Sequence, residues 1–474
     1  MVTSAPLPLH TIKTPLSASD VKTAQLAHLK DLQGNILKFH GRRHAAHLFL
    51  KFLPGKKSAA LAWIKGPLHD RVTSAHAQLE AAAQFKATGE DGGAFHAFML
   101  SAAGYTYLGK PLAGFADPRF SAGSKASIAS LHDPQVAAWE TGFQDTIHAM
   151  VLIADTQPAR LQFMAQALRT EVESFAVVLV TQMGDQQFNE RGNGVEHFGY
   201  VDGRSQPLML LSDLGDEPGG TSLWNPMAGP AQVLVADPFG SAGASGSYFV
   251  FRKLEEKVRA FKIQEQVLAT ALGLSGDARE LAGALVIGRF EDGTPVTLSS
   301  TPMIEDSAQP NGDSVPNNFD YRDDLAGVKC PFHAHIRKSN PRGSGPGGLA
   351  DEMTRHMARR GITYGARAPD TFDNIASMPE GEVGLLFMSY QRSIVDQFEF
   401  IQQSWVNNPG FPSAGAGVDP VIGQSGSPPP APQDWPKNWG DPAKPVVAFN
   451  FRDFVVMKGG EYFFAPSLSG LSSL

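Results

Sequence analysis

The order in which the apolar spacing changes period constrains the fold of this chain more than any other feature. His44 to Leu53 (HAAHLFLKFL) reads as a strand. Ala59 to Phe85 reads as mainly helical, with Leu61 and Ile64 on one stripe and Leu79, Ala82 and Ala83 on another. Gly66-Pro67 is expected to break that helix into two pieces. Ala94 to Leu100 and His148 to Ala154 again have strand character. Pro158, suited to a first helical turn, opens a stretch with Leu161, Met164, Leu168, Val172 and Phe175 on one stripe. Ala176 to Thr181 (AVVLVT) is a short β-rich run expected to be a buried strand. The order is β-α-β-β-α-β.

The rest of the chain can be read in the same way. Ser247 to Arg252 is a strand candidate, and Val258, Phe261, Val267, Leu268 and Leu272 form a helical stripe. His333 to Lys338 and Gly384 to Tyr390 are strand candidates, Val395 to Trp405 carries Phe398, Ile401 and Trp405 at helical spacing, and Glu461 to Phe464 closes the set. The expectation is an α+β protein of two ferredoxin-like domains, each a split β-α-β unit with an antiparallel sheet. It rests on element order, since no sequence repeat accompanies it. The boundaries expected are an irregular N-terminal arm over 1–27, a first domain over 28–215 and a second over 216–474. The Gly- and Pro-rich tracts 219–246, 340–348 and 409–445 exceed ordinary turns and are expected to form surface or site-lining loops.

Composition removes several function classes. The chain has 474 residues, 42% of them hydrophobic and 18% charged, enough apolar material for substantial cores. Its 40 Lys and Arg against 47 Asp and Glu give a net charge of −7 without long runs of one sign, which argues against nucleic-acid binding. The single cysteine, Cys330, excludes an intramolecular disulfide and a Cys-rich zinc module. No stretch approaches the ~18 apolar residues of a membrane span. The first thirty residues lack an apolar signal core, so a cytoplasmic protein is expected, although a secreted mature form would look the same.

Three clusters could carry chemistry. In Glu196-His197-Phe198-Gly199-Tyr200-Val201-Asp202-Gly203-Arg204-Ser205, glycines flank an aspartate and allow a tight path that could put its carboxylate in a cavity; a plain surface turn would look alike. In Cys330-Pro331-Phe332-His333-Ala334-His335-Ile336-Arg337-Lys338-Ser339-Asn340-Pro341-Arg342, a His-x-His pair on a strand would share one face, and its cationic neighbours suit a carboxylate-bearing cofactor better than a bare dication. Two satisfied strand histidines are the ordinary alternative. In Arg355 to Gly365, adjacent Arg359 and Arg360 could be a solvated helix end stopped by Gly361, or one could face inward beside developing negative charge.

Gly199-Tyr200-Val201-Asp202-Gly203 resembles the GxxDG signature of the dye-decolorising peroxidases, and the other clusters follow in that family's order. The resemblance extends to Leu32-Gln33-Gly34-Asn35-Ile36-Leu37, Asn318-Phe319-Asp320-Tyr321, Gly384-Leu385-Leu386-Phe387, Asp419-Pro420-Val421-Ile422-Gly423 and Gly459-Gly460-Glu461-Tyr462-Phe463-Phe464, and so covers about residues 30 to 470. It implies two ferredoxin-like domains with haem between them. The implied activity is a haem peroxidase that reduces hydrogen peroxide and oxidises dyes, phenols or other aromatic one-electron donors through high-valent iron.

Residue by residue, the resemblance implies one haem b per chain, with His335 as the iron ligand and His333 as a strand histidine. It implies Arg342 as a partner of a haem propionate, and Asp419 as the acid bonded to the proximal imidazole, with Asp396 as the substitute. Asp202 and Arg359 are implied as the distal acid-base and charge-stabilising pair, and Leu385 and Phe387 as apolar lining of the distal cavity. Tyr364 and Trp405 occupy positions similar to the family's surface oxidation sites, although Trp405 also fits plain core packing. A haem-binding or iron-handling protein with incidental peroxidase activity is the alternative, and a His-x-His metallohydrolase a weaker one. Neither a monomer nor a homodimer is favoured.

Overall fold

The computed structural model describes residues 6–217, 219–303, 316–367, 374–426 and 428–474. Its framework is a ten-stranded sheet to which both halves of the chain contribute. In the first half the strands are β1 (His44–Phe52), β2 (Phe95–Ser101), β3 (Ala149–Asp155) and β4 (Ala176–Asp185). They lie in the order β2-β3-β1-β4 with every neighbour antiparallel, which is the split β-α-β arrangement. The helices Ala75–Thr88 and Pro158–Val172 make its two crossovers.

The second half repeats the plan with β5 (Ser245–Glu256), the short pair β6 (Ala358–Arg359) and β7 (Ile362–Tyr364), then β8 (Gly384–Gln391) and β9 (Val455–Ala465). β8 pairs with β5, β5 with β9, and β6 and β7 both flank β8. The crossovers are the helix Val258–Leu272 and the wide helical turns Ile394–Glu399 and Ile401–Val406. The halves join where β9 meets β2, Phe463 beside Ser101 and Phe464 beside Leu100. At the far ends the sheet curls until its edge strands approach: Thr363 Oγ1 donates to the Asp185 carbonyl and accepts from Gln187 N at 3.2 Å.

Period-two alternation fills both sides of this sheet. Phe249, Phe251, Leu386, Met388 and Tyr390 belong to one apolar cluster; Tyr248, Val250, Tyr462 and Phe464 belong to another. Among the described residues no helix is long and apolar enough to cross a membrane.

Four expectations need correction. His333 to Lys338 is not a strand: Pro331 to Ala334 form a turn, and His335–Ser339 is a short helix. Ile336 is the one β-branched residue there, and the heads of Arg337 and Lys338 are fixed by carbonyls of neighbouring loops, which local periodicity does not reveal. The second strand of this half is instead Ala358–Arg359 and Ile362–Tyr364, where a helix end was an option. Gly66-Pro67 does not break its helix but sits in a wide turn, Ile64–Leu68, and the path leaves helical geometry only at Val72. Ala176 to Thr181 lies in an edge strand, with Val177 46% exposed. Of the expected irregular arm over 1–27, residues 6–27 are packed, with Leu9 and Leu16 buried, and residues 1–5 lie outside the described residues.

Candidate active site

The paired strands β5 and β8 build one wall of a deep cavity. Leu385 lies beside Leu254 and Phe387 beside Arg252, so these side chains share the face opposite Leu386 and Lys253. Arg359 pairs with Ser389, two residues on from Phe387, and so falls on the cavity face as well. The rim is completed by the Asp202 turn, the helix His335–Ser339, Arg342, His356 and the loop at Val421 and Ile422. About 2250 Å³ of atom-free space lies here, the part open to solvent included.

Asp202 is carried by a turn that glycine makes possible. Gly199 and Gly203 have φ of 102° and 80°, in the left-handed region that L side chains disfavour. Asp202 N donates to the Gly194 carbonyl at 3.0 Å and fixes the start of the turn. Arg359 is placed from both ends: its N–H donates to Gln206 Oε1 at 3.0 Å and its guanidinium to the Arg204 carbonyl at 2.6 Å. Arg360 donates its side chain to the carbonyls of Asn35, Ile36 and Arg359, which ties it to the segment LQGNIL.

His335 and His333 have separate environments. His335 Nδ1 is 2.8 Å from Asp419 Oδ2, which leaves Nε2 as the ring's remaining ligating atom. Asp419 is fully buried, and its Oδ1 accepts from Val421 N at 2.8 Å and Ile422 N at 2.9 Å. Burial pushes the His335 pKa down, but the Asp419 charge and hydrogen bond outweigh it and the net shift is upward. The Asp419 carboxyl is resisted by burial, yet His335 and the two backbone N–H groups hold it below the usual range. His333 instead places Nδ1 3.1 Å from the Ala416 carbonyl and its ring edge-on to Trp435. Asp396 is exposed, with its N–H on Ser393 Oγ in another turn, so the structure pairs His335 with Asp419 and not with the substitute.

At another part of the rim two arginines lie together, with the Glu217 and Asp320 carboxylates acting on Arg342 from outside its hydrogen bonds. Arg342 donates to the carbonyls of Asn317 at 2.7 Å and Phe319 at 2.6 Å, to Asn317 Oδ1 at 2.8 Å and to Ser205 Oγ at 2.6 Å. Arg289 donates to the carbonyls of Gly293 and Pro316 and to Asn317 Oδ1. All these acceptors are neutral. Burial, and then Arg342 nearby, lower the Arg289 pKa to about 9, and burial lowers that of Arg342 to about 10. Two buried guanidinium groups facing one cavity without a carboxylate acceptor fit an anionic ligand there. The imidazole, the cationic rim and the apolar wall together fit a porphyrin carrying propionates.

Two expected side chains are placed otherwise. Tyr364 and Trp405 were expected near the surface, and each is only 3% exposed. Trp405 stacks on Phe411 at 4.9 Å and 5°, as core packing. Tyr364 pairs with Gly384 and so lies on the other sheet face, at the border of a separate cleft with Glu140, Asp185, Lys253, Glu255 and Glu382.

Cavity residues that sequence reasoning missed include Arg252, Glu256 and Arg289, with Glu196, Arg204 and His356 quoted but unassigned. Arg252, Leu254 and Glu256 alternate along one strand, a period-two signal present in SYFVFRKLEE. Arg289 had no comparable pattern.

No family model matches the chain. A multifunctional dye peroxidase, DyP2, of Amycolatopsis sp. is 43% identical over 98% of this chain and 99% of its own. The dye-decolorizing peroxidase msp1 of Mycetinis scorodonius is 31% identical over 96% of this chain and 89% of its own. Among solved structures, DyP2 superimposes with a TM-score of 0.90 at 42% identity, covering 98% of this chain and 99% of the other. A DyP-type peroxidase of Anabaena sp. superimposes with a TM-score of 0.88 at 38% identity, over all of both chains.

Proposed function

The chain belongs to the dye-decolorising peroxidase family and is a haem peroxidase, and from that premise we propose how its residues divide the work. His335 would hold the iron through Nε2, with Asp419 orienting the ring. Arg342, with Arg289 beside it, would hold the propionates. Leu385 and Phe387 would close the apolar side against water. The group would be haem b, one per chain, as the family resemblance implies; Cys330, the only cysteine, leaves no thiol pair for a c-type attachment. When bound, the haem would supply the iron that gives two electrons to peroxide and regains them one at a time from the donors.

Reduction of hydrogen peroxide to two waters consumes two electrons and two protons. The proton must leave one peroxide oxygen and arrive on the other, which then departs as water. Asp202 is the cavity carboxylate carried on a glycine-framed turn, and it would make that transfer. Arg359, held by Gln206 and the Arg204 carbonyl, would face the charge that builds on the departing oxygen. Both charges are close enough to act on His335.

The observation that carries this reading is that Asp202, Arg359 and His335 line one cavity although separate elements supply them. Stopped-flow reaction of haem-loaded protein with peroxide tests it. Asp202→Asn should slow the reaction by about 10²- to 10⁴-fold and Arg359→Leu by about 10²- to 10³-fold, with haem retained. An unchanged rate in haem-replete Asp202→Asn removes Asp202 from its role.

A further inference from the structure

The turn that carries Asp202 is bound from beneath by two acids. Glu196 accepts from Phe198 N at 2.6 Å and Tyr200 N at 2.9 Å, so its carboxylate sits inside the Gly199 turn. Glu256, the last residue of β5, accepts from His197 N at 3.1 Å. The two carboxyl groups, held by N–H groups of the same loop, stand close enough for each to reach the other, and both line the cavity that holds Asp202. Two carboxylates cannot hydrogen-bond without a proton between them.

We propose that Glu196 and Glu256 share one proton, that this proton ties the Asp202 turn to strand β5, and that its loss sets the alkaline limit of peroxide reduction. The two are positioning residues, since they act through the turn that carries Asp202. The proposal rests on Asp202 being the acid-base group.

The surroundings favour a single shared proton. Burial first, then the charge and hydrogen bond of Glu196, push the Glu256 pKa well up. Burial raises that of Glu196 to about 7 against the backbone bonds from Phe198 and Tyr200. The other groups facing the pair are Asp202 on the same loop and Lys262 on the helix Val258–Leu272. The His197 ring, with Nε2 on the Tyr364 carbonyl, and Arg367, bonded to the His197 carbonyl, flank it, and Glu256 in turn acts on the Tyr364 phenol. Lys262 is bonded to Glu265 and Glu291, so its charge is shared with acids outside the pair.

Glu256→Gln keeps an oxygen for His197 N and an N–H for Glu196 and cannot ionise. In the haem-loaded protein the alkaline limb of the peroxide rate constant should move up by at least one pH unit or vanish, with the acid-side rate within twofold of the parent. Between pH 5 and 9 the parent should lose thermal stability relative to the variant as pH rises, because an acid with a raised folded-state pKa contributes stability that is lost as pH rises toward that pKa. An unchanged limb and unchanged midpoints overturn the proposal. If Glu256→Gln does not fold, infrared spectra of the parent decide: a protonated-carboxyl band must titrate together with the alkaline limb, and its absence overturns the proposal. Failure of the Asp202 assignment is separable, since it appears as an unchanged rate in Asp202→Asn while the midpoints still report on the pair.

Discussion

Asp419 Oδ2 lies 2.8 Å from His335 Nδ1 while Oδ1 of the same carboxylate accepts two backbone N–H groups. The carboxylate is therefore fixed, and the imidazole must orient to it. An ionised acceptor on Nδ1 makes Nε2 a stronger donor to iron. Asp419→Asn keeps the size of the side chain and removes the charge. The ferric–ferrous midpoint potential should rise, and peroxide reactivity should fall by about 10- to 100-fold with haem still bound. Spectroelectrochemistry of the purified variant checks the potential, and an unchanged value would mean the charge is not felt at the metal.

Arg342 tests the cationic rim. Its four hydrogen bonds go to neutral acceptors, with the Phe319 ring 3.8 Å beneath the guanidinium. Lysine can neither fork across those acceptors nor stack in the same way. Arg342→Lys should destabilise the protein by about 1–3 kcal/mol through the acceptors it leaves unpaired, and should speed transfer of haem to an apo-globin acceptor. Equal transfer rates in parent and variant would separate Arg342 from the propionates.

Lys338 gives a pH dependence of known sign. Its ammonium is buried, donating to the carbonyls of Asn408, Phe411 and Gly417, and burial lowers its pKa to about 7 from 10.5. The folded state therefore binds fewer protons than the unfolded chain between those values. Stability from this group rises with pH through that window, by up to about 1.4 kcal/mol per pH unit, and is lost as pH falls toward 7. Denaturant unfolding from pH 7 to 10 should show that slope in the difference between parent and Lys338→Met, the parent gaining stability relative to the variant as pH rises.

How much of this was legible in the sequence depended on whether a residue's partner was local. β1 to β4 follow period-two runs such as HAAHLFLKFL and the helix at Pro158 follows its own stripe, since each buries a continuous face. The Asp202 turn was readable because Gly199 and Gly203 are needed for its backbone. His335 was misplaced on a strand because its helix depends on Arg337 reaching Asp324 and Lys338 reaching Gly417, contacts between loops far apart in the chain. Arg359 and Arg360 were indistinguishable for the same reason: strand register at Ser389 decides which of them faces the cavity. Glu256 needed a partner 60 residues away to become more than the polar end of a strand.

Burial separates the two aromatic residues considered as routes for electrons from substrates too large for the cavity. Trp405 is packed against Phe411 and Phe400 and is only 3% exposed. Trp405→Phe should therefore leave bulky-dye turnover unchanged, while Trp405→Ala should cost about 3–5 kcal/mol of stability through the space it leaves. Tyr364 borders the cleft with Glu140, Asp185, Glu255 and Glu382, its ring 4.7 Å from the Lys253 ammonium and its buried hydroxyl without a hydrogen-bond partner. Tyr364→Phe should be neutral or stabilising by up to about 1 kcal/mol, since it removes an unpaired buried polar atom. It also removes the one oxidisable phenol in contact with that cleft, so steady-state turnover of a bulky dye should fall several-fold while the peroxide reaction keeps its parent rate. The opposite ranking of the two Phe variants would move the route to Trp405 and away from the cleft.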